Sequence, residues 1–425
     1  MKVVTVHRGA RDSYQVARAL QEAGLLERLV TDIYWPADRG WARGIESRLP
    51  SRVSAALSCR HAAGVPANAV TSCGLSGVSS LVASKASWMP NRWVREAVRW
   101  CDRSLGRRAG RIATREGAAL LSYSYYAHSA FSNYEGDGPR ILFQLHPHAA
   151  SVRSILRRER ELHPDCASSL DKEWELALPD ADLRRLTEES AMAQHWIVAS
   201  SYTKRTLTDA GIPAERIAVI PYGTDLNRFS PSREERGSRG PLRLLFVGTL
   251  GQRKGIKYLV QAVEMLPAGS VELTVCGRPV DDLALFRESR ANIRLYPSIG
   301  AQGLLDAYRS ADVFVFPSLA EGFAHVLLEA MASGLPIVST ARTAAPDLIR
   351  QGREGYIVPA GSAPELAAAI ENFLRRPESA RTMGEAARRR AETFTWQNFR
   401  RGVAEFVGGV LDREGAASPK PCLSH

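Results

Sequence analysis

The sequence predicts an α/β protein made of two Rossmann-like, doubly wound domains that face each other across a cleft. Its 425 residues are enough for two cores, because a single domain usually contains about 100–200 residues. Short apolar segments alternate with helical patterns along most of the chain, which is typical of parallel sheets with helices on both faces. A polar stretch near the middle interrupts this alternation and indicates where the first domain ends.

The first predicted domain comprises residues 1–220. It opens with a β-branched run at residues 2–6 that has the length of a buried strand. Further predicted strands lie at Ala119–Ser122, Ile141–Leu145 and Trp196–Ala199. Predicted helices lie near residues 14–23, 92–108 and 183–194. Residues 40–85 are rich in serine, alanine and glycine, and they show no clear pattern.

The second predicted domain comprises residues 241–392. It follows a predicted linker at 221–240, whose prolines and charged residues suit neither a helix nor a strand. The predicted strands of this domain lie at residues 242–247, 271–276, 293–296, 313–316 and 336–340. Its predicted helices lie near residues 255–265, 302–310 and 325–333. A final helix is predicted at 393–415 and a tail at 416–425.

The composition is that of a folded soluble protein, with 45% hydrophobic and 24% charged residues. No segment approaches the roughly 20 apolar residues that a membrane-spanning helix needs, and the first residues predict a strand rather than a signal peptide. The six cysteines are scattered without metal-binding spacing, which favours reduced thiols and no metal site. We therefore expect a cytoplasmic protein.

The positive charge is concentrated in the first part of the chain. The net charge is +11, and the first 160 residues hold 24 Lys and Arg against 12 Asp and Glu. This excess favours an anionic partner: a phosphorylated acceptor, a membrane surface or nucleic acid. One predicted helical face carries Arg92, Arg95, Arg99 and Arg103. Two tryptophans lie nearby, so this helix suits an anionic membrane surface; alternatively, its arginines pair with the acidic residues of 161–190.

The strongest local signal is the segment 316–336, Phe-Pro-Ser-Leu-Ala-Glu-Gly-Phe-Ala-His-Val-Leu-Leu-Glu-Ala-Met-Ala-Ser-Gly-Leu-Pro. It predicts a strand end, a short loop and a helix that begins near Phe323 and ends at Gly334. A helix N-terminus at the carboxyl end of a strand offers free N–H groups to a phosphate. Glu321 and Glu329 are spaced so that both can face one cleft and accept hydrogen bonds from sugar hydroxyls. Otherwise they are a capping acid and a surface acid.

A second signal is the segment 246–255, Phe-Val-Gly-Thr-Leu-Gly-Gln-Arg-Lys-Gly. A predicted strand runs into a glycine-containing loop with two adjacent cations, Arg253 and Lys254, and a helix follows. A guanidinium binds a diphosphate bidentately and an ammonium binds it as a point charge. Both charges would stabilise a diphosphate leaving group. The alternative is an exposed loop with two solvated cations.

These two segments resemble the E-x7-E motif and the diphosphate loop of family 4 retaining glycosyltransferases, whose GT-B architecture has two Rossmann-like domains. The resemblance is firm over about residues 195–410 and includes the Thr-Trp pair at 395–396. It implies that the last helix crosses back to the first domain. The loop departs from the family at Thr249, where the family often has an arginine, and we expect Arg253 to take that role.

The resemblance also implies the roles of the site residues. In the family the first glutamate contacts the transferred sugar and the second contacts the donor ribose, which assigns these roles to Glu321 and Glu329. The implied catalytic set is Glu321, His146, Arg253 and Lys254. The implied donor-binding set is Gly248, Thr249, Arg253, Lys254, Cys276, Gly277, Gly322, Phe323, Ala324 and Glu329.

The first domain resembles the family more loosely. The loop after its first strand keeps one glycine, Gly9, where the family has a pair. The family's strand-end histidine, which lies near the transferred sugar, is matched by His146 or by His148, and we assign the role to His146. The residues expected on the acceptor side are Gly9, Arg11, His148 and Tyr125.

The resemblance implies a retaining transferase that moves a hexose-type sugar from a nucleotide-diphosphate sugar, with UDP or GDP as the nucleotide. The expected acceptor is a glycan or a lipid-linked hydroxyl compound in cell-surface or exopolysaccharide biosynthesis. We expect no separate cofactor, no metal and no nucleic-acid partner, and we expect a contact with an anionic membrane surface. Two alternatives stay open: a nucleotide-sugar epimerase on the same fold, and a basic, non-catalytic protein that binds an anionic polymer.

Overall fold

The computed structural model describes residues 1–49, 54, 57–74, 77, 91–232, 240–281 and 284–417. Within these residues the chain forms two β-sheets, one of seven strands and one of six. Neighbouring strands are parallel throughout both sheets. No helix in this part of the chain combines the length and the apolar composition needed to cross a membrane.

The first sheet has the strand order β3-β2-β1-β4-β5-β6-β7. Its strands are β1 (Val3–Val6), β2 (Leu26–Thr31), β3 (Val70–Ser72), β4 (Ala119–Tyr123), β5 (Arg140–Gln144), β6 (His195–Val198) and β7 (Ile217–Val219). The α-helices of this unit are Gln15–Glu22, Gly40–Glu46, Asn91–Arg115, Ala127–Phe131, Ala149–Leu162, Ala167–Asp171, Trp174–Ala177, Asp180–Met192 and Ser201–Thr208.

The second sheet has the strand order β10-β9-β8-β11-β12-β13. Its strands are β8 (Leu242–Val247), β9 (Val271–Cys276), β10 (Ile293–Tyr296), β11 (Val313–Phe316), β12 (Ile337–Thr340) and β13 (Gly355–Val358). The α-helices that follow the first strand of this unit are Ile256–Glu264, Ala284–Arg287, Ala301–Ser310, His325–Ala332, Ala345–Leu348, Ala363–Arg375, Pro377–Ala391 and Trp396–Ala417.

Both faces of the first sheet are buried. Successive residues of a strand point to opposite faces, and in β1 Val3 belongs to one apolar core while Val4 belongs to another. Leu121 and Leu120 of β4 are divided between the same two cores. Strands that are buried on both faces read as continuous apolar runs, which explains why these strands are visible in the sequence.

The last helix, Trp396–Ala417, joins the two units. Arg400 on this helix pairs with Glu22 at 2.8 Å and donates a hydrogen bond to Gln15 Oε1 at 2.8 Å. Both partners lie on the helix after β1. The final helix of the chain therefore packs on the first unit.

In each sheet the strand order reverses at one point, between β1 and β4 in the first sheet and between β8 and β11 in the second. Open parallel sheets bind ligands in the crevice outside the carboxyl ends of their strands at such a point. The loops that follow these strands contain both sequence motifs. The topology therefore places the motifs at the expected ligand crevice.

The two parallel sheets confirm the predicted α/β class with two Rossmann-like units. The sequence patterns miss β2, because charged residues interrupt it, and they also miss the three-residue strands β3 and β7 and the four-residue strand β13. The helix expected from Phe323 begins at His325, because Ala324 has a left-handed φ of +67°. The predicted domain limits stay predictions. The described residues do not include 233–239 of the predicted linker or 418–425 of the predicted tail.

Candidate active site

The loops after β8 and β11 are bound directly to each other. The backbone N–H of Leu319 donates to the carbonyl oxygen of Arg253 at 2.8 Å, and the hydroxyl of Ser318 donates to the same oxygen at 3.1 Å. Ser318 is fully buried. These bonds fix the position of the two cations of the first loop relative to the Glu-Gly segment of the second.

Lys254 and Glu321 are in direct contact at the carboxyl ends of these strands, where the Lys254 ammonium donates to Glu321 Oε2. Both side chains are mostly buried, with 19% and 15% of their surfaces exposed. Burial, followed by the charge of Arg253, lowers the pKa of Lys254 to about 8, and the carboxylates of Glu173 and Glu175 oppose this shift. The structure thus brings together the two residues that the sequence singled out in separate motifs.

Arg253 has a different environment from Lys254. Its Nη1 atom lies 2.8 Å from Glu175 Oε2 and 3.3 Å from Glu173 Oε2, and its Nε donates to the carbonyl oxygen of Ala320 at 3.0 Å. Only 8% of the residue is exposed. The Nε and Nη1 atoms of the guanidinium group thus bond to protein acceptors. These bonds tie the β8 loop to the segment of the first unit that contains both glutamates.

The predicted base-side loop is built by close backbone contact. The N–H of Gly248 donates to the carbonyl oxygen of Cys276 at 3.0 Å, and a Cβ atom at position 277 would overlap with the carbonyl oxygen of Gly248. Gly277 is therefore needed so that the loops after β8 and β9 can approach each other. Cys276 is fully buried, whereas Thr249 is exposed.

Gly322 lies against the backbone of the first unit. A Cβ atom at this position would collide with the carbonyl oxygen of Leu145. The Gly322 carbonyl oxygen accepts hydrogen bonds from Ser200 Oγ at 2.5 Å and from Thr203 Oγ1 at 3.2 Å. Two loops from opposite units thus touch at this residue, and the cleft is narrow beside Glu321.

The helix after this loop carries the second glutamate. The helix begins at His325 and directs its N-terminus towards the loop. The Glu329 carboxylate accepts a hydrogen bond from the hydroxyl of Tyr308 at 2.9 Å. Burial raises the pKa of Glu329, while the Tyr308 hydrogen bond and the charge of Arg228 oppose this shift. Phe323 is buried and meets the ring of Tyr222 edge-on at 5.1 Å.

His146 lies on the opposite wall. Burial, followed by the charges of Arg253, Arg11 and Lys254, lowers its pKa to about 3, so the imidazole is neutral at physiological pH. His148 is buried, and its backbone N–H donates to Thr206 Oγ1 at 3.0 Å. Burial alone lowers the pKa of its imidazole. The electrostatic influence of the cleft cations on His146 favours it over His148 as the cleft histidine.

The acceptor-side residues expected from the sequence surround the loop after β1. The N–H of Gly9 donates to Asp32 Oδ1 at 2.9 Å, and Arg11 Nη2 donates to the hydroxyl of Tyr126 at 3.2 Å. The Tyr125 ring lies 5.6 Å from the His146 ring. These contacts place the β1 loop and Tyr125 beside His146.

The same loop contains three consecutive non-glycine residues with left-handed backbone, Asp12, Ser13 and Tyr14, at φ of 43°, 52° and 62°. Such conformations cost free energy and persist only where surrounding contacts hold them. Here the carboxylate of Asp12 accepts from the hydroxyl of Tyr123 at 2.7 Å and from the N–H of Gln15 at 3.2 Å. Burial raises the pKa of Asp12 to about 7.

Sequence reasoning missed the acidic side chains that hold the β8 loop. Besides Glu173 and Glu175, Glu159 accepts hydrogen bonds from Gln252 Nε2 at 2.7 Å and from the hydroxyl of Tyr258 at 3.0 Å. The acidic content of this segment was visible in the sequence, but the sequence did not show which cations it meets. Only the packing of the two units reveals that it meets the β8 loop.

The basic helix Asn91–Arg115 meets acidic residues in part. Arg99 pairs with Glu96 at 2.5 Å and also contacts the carboxylate of Asp182, as the pairing alternative expected. Trp93 and Trp100 are 57% and 44% exposed. The side chains of Arg92 and Arg95 lie outside the described residues.

Comparison with known proteins identifies the class of this chain. Residues 230–390 match the family model described as glycosyl transferases group 1. This segment is therefore similar to group 1 glycosyltransferases, and the two parallel sheets of the chain have the GT-B fold. No group of three or more His, Cys, Asp or Glu side chains in the described residues is placed to hold a metal ion.

The chain is similar to D-inositol 3-phosphate glycosyltransferases. It is 30% identical over 231 residues to that of Pseudarthrobacter chlorophenolicus, which covers 50% of this chain and 55% of the relative. It is 34% identical over 204 residues to that of Paenarthrobacter aurescens, which covers 44% and 50%. The chain thus spans about half the length of the curated relatives it matches.

Solved structures share the fold over almost the entire chain. Sucrose-phosphate synthase from Thermosynechococcus elongatus superposes with a TM-score of 0.64 at 18% identity and covers 98% of this chain and 100% of that one. Anabaena HepE in complex with UDP-glucose superposes with a TM-score of 0.57 at 16% identity and covers 96% and 100%. At these identities the likeness shows the fold alone, so the roles assigned to individual site residues stay predictions.

Proposed function

We propose that this protein transfers a hexose-type sugar from a nucleotide-diphosphate sugar to a hydroxyl group of a glycan or lipid-linked acceptor, with retention at the anomeric carbon. The observation that carries the proposal is the contact between Lys254 and Glu321, beyond the strand ends where the second sheet reverses its order. It joins a cation suited to a diphosphate with a carboxylate suited to sugar hydroxyls. The wall opposite them belongs to the first unit and carries His146.

Each residue has a separate task in the proposed reaction. Lys254 and the N-terminus of the helix His325–Ala332 bind the diphosphate and stabilise the charge that develops as it leaves. Glu321 orients the sugar, and Glu329 is assigned to the donor ribose. The neutral imidazole of His146 forms hydrogen bonds with the sugar from the opposite wall.

In the proposed reaction Arg253 has a positioning role. Its Nη1 atom bonds to Glu173 and Glu175, and its Nε bonds to the Ala320 carbonyl oxygen. The expectation that Arg253 also takes the role of the family's loop arginine on the diphosphate stays a prediction. In the proposed reaction it holds Lys254 in place, and Lys254 supplies the charge of that loop.

In the proposed reaction the bond between the anomeric carbon and the diphosphate oxygen breaks, and the acceptor oxygen bonds to that carbon on the same face. The acceptor proton passes to the departing diphosphate, so no enzyme nucleophile is required. The narrow contact at Gly322 helps to exclude water that would otherwise hydrolyse the donor. No cofactor besides the donor takes part.

UDP is the first nucleotide to test, because one structure with the same fold was solved with UDP-glucose; GDP is the second. We also propose that the first unit contacts an anionic membrane surface from the cytoplasmic side, in cell-surface or exopolysaccharide biosynthesis. The positive charge of residues 1–160 and the exposed Trp93 and Trp100 support this contact.

Thermal unfolding in the presence of UDP-, GDP- and ADP-sugars tests the donor proposal. A donor at about 100 times its dissociation constant adds about 2.7 kcal/mol to the free energy of unfolding. One nucleotide should raise the melting temperature of the wild type but not of Lys254→Ala or Glu321→Ala. Lys257→Ala is the matched control, because Lys257 lies on the helix that follows this loop and pairs with Asp165 at 2.7 Å. Binding of nucleic acid with a steep salt dependence, and of no nucleotide sugar, would contradict the proposal.

A further inference from the structure

A groove of about 750 Å³ lies on the first unit, away from the cleft, between the last turns of the helix Asn91–Arg115 and strands β2 and β3. Its lining contains Arg28, Arg107, Arg108, Arg111 and Arg115. The remaining lining side chains among the described residues are a threonine, a serine and an isoleucine, so this part of the wall contains no carboxylate. The candidate active site uses none of these residues.

Most of this charge is not neutralised by the protein. Within the described part of the chain, Arg107, Arg108 and Arg111 form no salt bridge. Arg115 pairs with its neighbour Glu116 at 2.7 Å, and Arg28 donates to the carbonyl oxygen of Asn68 at 2.8 Å. Five guanidinium groups around one groove repel each other, and an anionic ligand reduces this repulsion.

A second groove on the same unit shows that this arrangement is specific. It is lined by Arg153, Arg157 and Arg158, but its wall also contains Glu161 and Asp180. Arg153 pairs with Asp180 at 2.6 Å. The groove with three arginines therefore has carboxylates that balance its charge, whereas the described lining of the groove with five arginines has none.

The groove continues the exposed aromatic face of the same helix. An α-helix turns by about 100° per residue, so positions 93, 100, 107 and 111 lie within about 40° of one another around the helix axis. Trp93 and Trp100 on this face are exposed, and the arginines follow towards the C-terminal end. Tryptophan and arginine on one helical face suit the interface of an anionic lipid bilayer.

We propose that the groove lined by Arg28, Arg107, Arg108, Arg111 and Arg115 binds phosphate groups, and that the headgroup phosphates of an anionic phospholipid surface occupy it. Guanidinium groups form paired hydrogen bonds with phosphate oxygens. The inference rests on the proposed membrane contact and names its site, but it is independent of the donor site. A soluble phosphate compound would use the same chemistry.

Vesicle co-sedimentation of the full chain tests the proposal, with phosphatidylcholine alone and with phosphatidylcholine mixed with phosphatidylglycerol. The double variant Arg107→Gln/Arg111→Gln should bind the anionic vesicles about 30-fold more weakly, because each arginine near such a surface contributes about a fivefold factor. The control Arg157→Gln/Arg158→Gln removes the same charge from the balanced groove and should change binding less than about threefold. Equal losses in the two double variants would overturn the groove as a site.

Inorganic pyrophosphate separates the two sources of phosphate. If lipid headgroups are the occupants, the wild type binds anionic vesicles and pyrophosphate competes weakly. A pyrophosphate-dependent rise in melting temperature that requires Arg107 and Arg111 but not Lys254, without vesicle binding, would overturn the lipid assignment. Donor binding is measured on the same variants and should be unchanged, so failure of the donor proposal and failure of this one are distinguishable.

Discussion

The guanidinium group of Arg253 donates a hydrogen bond to the carboxylate of Glu175 at 2.8 Å, and this contact joins the β8 loop of the second unit to the first unit. Both residues are almost fully buried, with 8% and 3% of their surfaces exposed. The next residue in the chain is Lys254, which contacts Glu321. The ion pair therefore fixes the backbone from which the proposed catalytic cation projects.

Arg253→Ala should lower the free energy of unfolding by about 3–5 kcal/mol, because it leaves buried carboxylates without a partner. The double variant Arg253→Ala/Glu175→Gln should recover part of this loss. Urea denaturation followed by circular dichroism measures both. The control is Arg381→Ala, whose pair with Glu385 is exposed and should contribute less than about 1 kcal/mol. Equal effects of Arg253→Ala and Arg381→Ala would show that the buried pair does not stabilise the fold.

Lys254→Ala should lower kcat of sugar transfer by about 10²–10³-fold, because it removes the charge that stabilises the departing diphosphate. Nucleotide-diphosphate release in the presence of acceptor measures this rate. Lys257→Ala should stay within a few fold of the wild type, since that lysine pairs with Asp165 and not with Glu321. A rise in KM with an unchanged kcat would assign Lys254 to ground-state binding only.

Gly322→Ala should separate the two units, because the added methyl group would collide with the carbonyl oxygen of Leu145. We expect a larger radius of gyration in small-angle X-ray scattering and a loss of transfer activity. Gly300→Ala is the control, since a Cβ atom at Gly300 meets no atom within 4 Å. An unchanged radius of gyration in Gly322→Ala would show that the backbone accommodates the methyl group without opening.

His7 should make stability depend on pH between neutral and acidic conditions. Its ring is fully buried between Tyr14 and Tyr123, and burial lowers its pKa from 6.5 to about 4. As the pH falls, His7 is protonated in the unfolded chain before it is protonated in the folded chain. The contribution of the neutral His7 to the free energy of unfolding is therefore complete above pH 6.5 and is lost as the pH falls towards 4. Between pH 7 and pH 5 the protonation of His7 alone should lower the free energy of unfolding by about 2 kcal/mol.

The variant His7→Phe tests this by its pH dependence rather than by its stability at one pH. Unfolding free energies at pH 7 and pH 5 should differ by about 2 kcal/mol less in the variant than in the wild type. Other buried histidines contribute equally to both proteins and cancel in the comparison. The same pH dependence in both proteins would show that His7 does not take up a proton on unfolding in this range.

The strands that the sequence revealed are those buried on both faces, such as β1, β4 and β11, because a continuous apolar run has no other common explanation. The strand β2 was missed because Glu27 and Arg28 interrupt its pattern. The start of the helix at His325 was misjudged by two residues, since a left-handed alanine has no signature in the sequence.

The sequence by itself determined the two α/β units and the local geometry of both motifs. Each motif is a strand, a loop and a helix contiguous in the chain, so short-range patterns specify it. Only the tertiary structure decided that Lys254 meets Glu321 while the adjacent Arg253 turns to Glu175. These partners are separated by 67 and 78 positions in the chain, and local propensity carries no information about which distant carboxylate a cation will reach. The packing of the two units made that choice, because it brought a buried acidic segment against one side of the β8 loop.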